Sequence, residues 1–495
     1  MKKAFIVLSS FILIIWLFCC GGGTNNGGGK ESGDQNLTPV LTSLSPSSRA
    51  EHMPSFTIKA TGSKFVSGSK IVFGGVEKDT TYNSSTELIC KITTTDITPA
   101  ILALFKDTAA LLQQDTTVTV FIRNPSGQGG DSSSLTFTIL TNPEFDNAVN
   151  ISKTSNLNSN RPAIAVDSTD NIHVVWDEGA NSRNVYYSNS NDEGKNWKSP
   201  VIISQDLGMY PDITVDSNDN MNVVWTDNTA YNDGLKFSRS TDGGKNWSAA
   251  VKIPSTDFES VYPAIAADSA GNLYIVWEES ANSEIYFSCS TNNGSTWSQP
   301  QNLSNNTGFS HNPRVITHNN EDIYVVWQDS TTGIEEIYLL RSTDSGLTWS
   351  QAKNISNSSA RSYRPDIKTE SDGSVDVVYG ENGEIYFKRS TDSGANWSAA
   401  VNVSNSNYSS GSPRIAVDSI DNLNVIWAEN ISGYERVYYS RSIDNGSTWT
   451  SFVDVYKNAN DTSDQALALD SLGNINVVFG EWTPMNNIYF AGSKR

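Results

Sequence analysis

An aromatic residue followed two positions later by a carboxylate recurs seven times in the C-terminal two-thirds of this chain. The pairs are Trp176 and Glu178, Trp225 and Asp227, Trp277 and Glu279, Trp327 and Asp329, Tyr379 and Glu381, Trp427 and Glu429, and Phe479 and Glu481. Seven carboxylates in a ring could hold a cation or a polar ligand. The same regularity has a structural reading, in which each acid accepts backbone amides of its own repeat or pairs with an arginine. Arg239, Arg341, Arg389 and Arg441 are equally regular and could be those arginines. Residues that break a repeat are better site candidates, and these are Arg161, Arg364, Tyr210, Tyr262, Tyr231 and Trp482. The histidines His52, His173, His311 and His318 form no metal-ligand spacing, and neither a phosphate-cradling glycine loop nor a GxSxG elbow occurs. No metal or cofactor is expected.

The elements that carry these residues follow from an eight-residue phrase. It reads SNDEGKNW from Ser190, and near-copies start at Ser240, Ser290, Ser342, Ser390 and Ser442. The closing tryptophans, Trp197, Trp247, Trp297, Trp349, Trp397 and Trp449, stand 50, 50, 52, 48 and 52 residues apart. Such a period marks one supersecondary unit stacked on copies of itself. Each unit holds four short β-rich runs without helical periodicity, which predicts a four-stranded antiparallel meander. The runs are apolar on both faces, as strands of a propeller blade must be. The phrase fits the hairpin between the third and fourth strands. Its glycine, such as Gly194, supplies positive φ, and its third residue (Asp192, Asp242, Asn292, Asp344, Asp392, Asp444) accepts turn amides. The series Asp167, Asp216, Asp268, Asp418 and Asp470 does the same in the first hairpin. In a meander the first and third hairpins share one rim. The carboxylate ring and the first-strand starts Arg161, Tyr210, Tyr262, Asn312 and Arg364 therefore share the other.

The pattern S-x-D-x-G-x-x-W resembles the Asp-box, or BNR repeat, of sialidase-like propellers, over about residues 142–495. The resemblance implies that the boxes are structural hairpins away from any active site. It also implies what a sialidase would need: an arginine cluster for the substrate carboxylate, a tyrosine nucleophile with its glutamate, and an aspartate acid/base. Arg161-Pro162 and Tyr363-Arg364-Pro365 only echo the family's arginine motif. Each is one version of an x-Pro step found in the first six units, so the catalytic residues stay unknown. First-strand starts recur seven times, and the seventh unit lacks a fourth strand. Residues 146–152 resemble one, so the expectation is a seven-bladed ring closed by its N-terminal strand. Six blades, the sialidase number, is the alternative.

The N-terminal third differs in kind. Residues 1–20 pair a charged start with an apolar run ending Leu17-Phe18-Cys19-Cys20, which resembles a bacterial lipobox with Cys20 (or Cys19) as the lipidated residue. Residues 21–38 read as a glycine-rich tether. Residues 39–141 alternate at strand spacing, predicting an immunoglobulin-like β-sandwich; their order resembles IPT/TIG domains, usually spacers or adhesion modules. Cys90 and Cys289 fall in different domains and are expected to be buried free thiols.

Lys+Arg 34 against Asp+Glu 54 gives a net charge of −20, which repels nucleic acid. The expectation is an all-β, membrane-tethered monomeric lipoprotein of the bacterial envelope, at the outer membrane or cell surface. Its propeller would bind an extracellular glycan, peptide or protein partner without catalysis. The alternative is a sialidase-like exo-glycosidase.

Overall fold

The computed structural model describes residues 38–493, apart from 46, 51–55, 94–115, 141, 154–156, 181–182, 205–206, 228–233, 256–258, 458–460 and 483–485. The lipobox, most of the tether and Tyr231 lie outside the described residues. The described residues before 141 form two sheets. One pairs Val40–Ser45, Phe56–Ser63, Glu87–Ile92 and Thr80–Ser84 in that order. The other orders Ser48–Ala50, Leu135–Leu140, Thr116–Arg123, Lys70–Phe73 and Val76–Glu77. Alternate residues of both sheets, among them Ile58, Leu88, Ile71, Val120 and Phe137, meet in one core. Cys90 belongs to it; Cys289, expected to be buried, is only half-buried, and neither forms a disulfide among the described residues.

From residue 149 onward the described residues form seven four-stranded antiparallel sheets. The first is Ser159–Val166, Ile172–Glu178, Asn184–Ser190 and Val201–Ile202. Five more follow in sequence order, their first strands being Gly208–Val215, Ser260–Ala267, Ser310–His318, Ser362–Thr369 and Ser409–Val417. The last sheet holds Asp461–Leu469, Ile475–Trp482 and Asn487–Gly492, and its fourth strand is Val149–Asn150 from the other end of the domain. There Val149 pairs with Phe490 and Asn150 with Tyr489. Each first strand packs beside the next, and Asp461–Leu469 packs beside Ser159–Val166. The sheets thus form a closed ring with the first strands innermost, leaving as outer sheet edges only short strands such as Val201–Ile202.

Packing between sheets explains the repeated phrase. Ser190 donates to Asp192 at 2.9 Å, and Asp192 accepts from the Asn196 amide at 2.8 Å and its side chain at 2.7 Å. Hydrogen bonds from Asn246 likewise hold the Asp242 carboxyl down to about 2. Asn292 keeps the turn: its oxygen accepts from the Thr296 amide at 2.9 Å. The glycine is required twice over, since Gly194 has φ +80° and a Cβ there would sit 2.0 Å from the Phe490 ring. The tryptophan then packs on an aromatic of the preceding sheet, Trp247 on Tyr187 at 5.1 Å and Trp297 on Phe237 at 5.3 Å. Trp197 on Phe490, at 5.1 Å, closes the circle.

Candidate functional site

Each first strand bulges at one position. In the first sheet Asn160 faces Asp177 and Ala163 faces Val175, so Arg161 and Pro162 together oppose one residue. The residue in the bulge has positive φ in all seven sheets: Arg161 (52°), Tyr210 (52°), Tyr262 (50°), Asn312 (51°), Arg364 (51°), Ser412 (52°) and Asp464 (52°). A left-handed non-glycine residue costs on the order of 1 kcal/mol or more. Seven such costs rival the whole stability of an ordinary domain, so the bulge must be held from outside the strand. Two of the holds are visible. The Tyr210 amide donates to Asp177 at 3.3 Å, and the Arg364 amide donates to Gln328 at 2.8 Å, each across to the preceding sheet. Bulges re-aim side chains, and here all seven line one central cavity of about 1190 Å³.

Two residues further along, a second tier lines the same cavity: Ala163, Asp212, Ala264, Arg314, Asp366, Arg414 and Ala466. The two tiers place Arg314, Arg364 and Arg414 on three consecutive sheets. Burial, followed by the neighbouring Arg314 charge, lowers the Arg414 guanidinium to about 10. Like charges are therefore held together at a cost. Carboxylates partly offset it: Arg314 lies 3.9 Å from Asp366. Asp366 and Asp212 are both committed to backbone, accepting from the Ile415 and Ile265 amides at 2.9 Å. Burial pushes the Asp212 carboxyl up against the opposing pull of Arg314. The cavity walls carry six Lys or Arg and five Asp or Glu, in a chain with 34 of the former and 54 of the latter. The lining carries one more cation than anion, in a chain whose net charge is −20.

The facing wall is aromatic. Arg161 lies over the Tyr210 ring at 3.9 Å and bonds Asp177 at 3.1 Å. Burial opposes its charge, but Asp177 and Tyr210 outweigh that and raise its pKa. The Tyr210 and Tyr262 rings meet edge to face at 4.4 Å. Burial, then its contact with Tyr210, pushes the Tyr262 hydroxyl up to about 12. His311 bonds Glu278 at 2.8 Å, and that bond raises the imidazole pKa against burial.

The structure brings Arg161, Tyr210, Tyr262 and Arg364 together in the cavity. It places the carboxylate ring elsewhere, inside the sheets. Glu178, Asp227, Glu279, Asp329, Glu429 and Glu481 are buried and Glu381 half-buried. Glu178 accepts from the Trp176 indole at 2.9 Å and Ser159 at 2.8 Å. Glu279 and Asp329 hold Trp277 with Ser260, and Trp327 with Ser310, in the same way. Glu381 accepts from Ser362 and Glu429 from Trp427; Asp227 instead pairs with Lys236 at 2.8 Å, and the Trp225 indole goes unbonded among the described residues. The regular arginines serve other acids, Arg239 pairing with Asp216 at 2.7 Å and Arg389 with Asp376 at 2.9 Å. Trp482 is exposed and does not line the cavity. Sequence reasoning missed Arg314, Arg414, Glu278 and His311. Setting the first six units in register on the x-Pro step would have shown Ala, Asp, Ala, Arg, Asp and Arg one residue past the proline.

Among family models, a BNR repeat-like domain matches residues 277–460. A polysaccharide lyase described as an ulvan lyase is similar in fold, with 11% identity over 69% of this chain and 95% of that one, at a TM-score of 0.52. A complex of an ulvan lyase with -[GlcA(1-4)Rha3S]- gives 11% identity over 70% and 93%, at 0.50. A Hadza microbial sialidase gives 13% identity over 66% and 74%, at 0.41. No curated protein matches. The ring of sheets is a β-propeller, and its residues 277–460 are similar to a BNR repeat-like domain.

Proposed function

We propose that this propeller, read as seven-bladed, binds an anionic glycan in its central cavity without cleaving it. The observation that carries the reading is the convergence of Arg314, Arg364 and Arg414 on one wall, opposite the Arg161–Tyr210–Tyr262 stack. Guanidinium forks suit carboxylate and sulfate groups, and tyrosine rings suit the apolar face of a sugar. An acidic chain that concentrates arginines in one concave site spends stability on them, and a bound anion would relieve their mutual repulsion. The acidic glycan in the ulvan lyase complex belongs to that protein. The likeness to it supports a glycan ligand only at the level of the fold.

Against catalysis stands the state of Tyr262. A nucleophile needs a lowered pKa or an adjacent base, whereas this hydroxyl is pushed up, with Tyr210 rather than a carboxylate as its closest influence after burial. The rest of the chain fits a display role. Cys20 would be lipidated at the bacterial outer membrane or cell surface, and the sandwich, read as an immunoglobulin-like IPT/TIG domain, would hold the propeller away from the bilayer.

Calorimetry tests the reading. Acidic oligosaccharides should bind the wild type, neutral ones of equal length should not, and Arg314→Ala with Arg414→Ala should abolish the heat. Turnover of a fluorogenic sialoside, lost in Arg161→Ala or Arg364→Ala, would replace binding with hydrolysis.

A further inference from the structure

Phe309 is 63% exposed, although its backbone is held firmly. Its amide donates to Ser330 Oγ at 2.8 Å, and the Ser330 amide donates back to its carbonyl at 3.0 Å. Gly308 lies so close to the next loop that a Cβ would meet the Thr331 nitrogen at 2.4 Å. Asn306 ties the segment down, donating to Asp329 at 2.6 Å and accepting from the Gly308 amide at 2.7 Å. An apolar ring fixed in water on a braced loop serves no core.

The position also departs from the repeat. Phe309 stands one residue before the serine that bonds the buried carboxylate. At that step the other units carry Asn158, Leu207, Glu259, Arg361, Ser409 and Asp461. Phe309 and Arg361 are thus neighbours around the ring, and between them opens a second cleft of about 540 Å³ that also includes Ile334 and Glu335. Arg361 pairs with Glu335, and both side chains line the central cavity as well as the cleft. On its other side Phe309 stacks on His311, itself a cavity residue, at 6.4 Å and 10°.

We infer that the ligand is an oligosaccharide that leaves the cavity over this rim, with a further sugar ring seated in the Phe309–Ile334–Arg361 cleft. The inference rests on the anionic-glycan reading and adds that a terminal monosaccharide fills only part of the site. Phe309 offers its free face to the apolar side of a pyranose, and Arg361 stands where that sugar's acid group would lie. The cleft's continuity with the cavity, through Glu335 and Arg361, is what makes one ligand span both.

The test is calorimetry on full-length protein in detergent, with galacturonate and its di-, tetra- and hexasaccharide. The tetrasaccharide should bind the wild type about tenfold more tightly than the monosaccharide, or better. Phe309→Ala should remove most of that gain, and Phe309→Tyr should restore it. Affinity that does not grow with length, or a Phe309→Ala variant that keeps the full gain, overturns the cleft and leaves the cavity reading intact. Heat from no member of the series overturns both.

Discussion

The two rims of the propeller are built from the same repeat by opposite rules. At the Asp-box rim six units use nearly the same side chains, and an outlier such as Asn292 preserves the hydrogen bond it inherits. At the cavity rim the backbone is uniform, with φ between 50° and 52° in all seven bulges. The side chains there run Arg, Tyr, Tyr, Asn, Arg, Ser, Asp. Uniform side chains answer a demand made six times over, that of joining one sheet to the next. Varied side chains on a uniform backbone are what the proposed glycan, an object without sevenfold symmetry, would require. The expense of holding the bulge left-handed is common to all seven, and it gives one residue per sheet an inward aim.

The largest way to break this contrast is on the uniform side. The Asp-box residue Trp297 is buried and packs on Phe237 of the preceding sheet at 5.3 Å. Trp297→Ala should cost about 3–5 kcal/mol, read as a lowered melting temperature, while whatever remains folded keeps its ligand affinity. On the varied side the outcome reverses. Arg414→Met removes a guanidinium that burial and Arg314 hold at about 10. The acidic glycan should bind about tenfold more weakly or worse, with a melting temperature equal to or above the wild type. A loss of stability there would place Arg414 among the fold residues and erase the distinction.

A subtler effect concerns pH. His311 faces Glu278, with Glu335 and Asp329 further off, and its pKa is raised chiefly by the Glu278 bond. Its stabilising contribution is therefore complete below the unfolded value near 6.5 and is lost as pH rises through the higher folded value. Because the protonated ring adds positive charge to the cavity, anion affinity should rise a few-fold as pH falls through that range. His311→Gln should flatten the profile; a wild-type profile already flat between pH 5 and 8 would remove His311 from the site.

The fold was legible because its signals repeat. Six tryptophan-ended phrases set the period, and the resemblance of residues 146–152 to a fourth strand anticipated the pairing of Val149–Asn150 with the last sheet. The site was legible only where it coincided with the x-Pro step, at Arg161, Tyr210, Tyr262 and Arg364. Arg314 and Arg414 lie just beyond the bulge, where strand alternation is broken and counting residues no longer tells inside from outside. The carboxylates could be read two ways for a related reason. Their spacing from the aromatic residue is visible in sequence, but the serine that completes each hydrogen-bond set is 19 residues away, as Ser159 is from Glu178. His311 and Glu278 meet from adjacent sheets, 33 residues apart, with no local pattern to announce them.

The seam at Val149–Asn150 carries a consequence for how the molecule comes into being. During synthesis Asn150 leaves the ribosome long before Tyr489, its partner, exists. The wheel cannot lock until the last strands arrive, and contacts this distant along the chain form slowly. For all of that interval the half-made circle exposes two raw flanks, and any helper that accompanies the newborn chain must shield both until the latch engages.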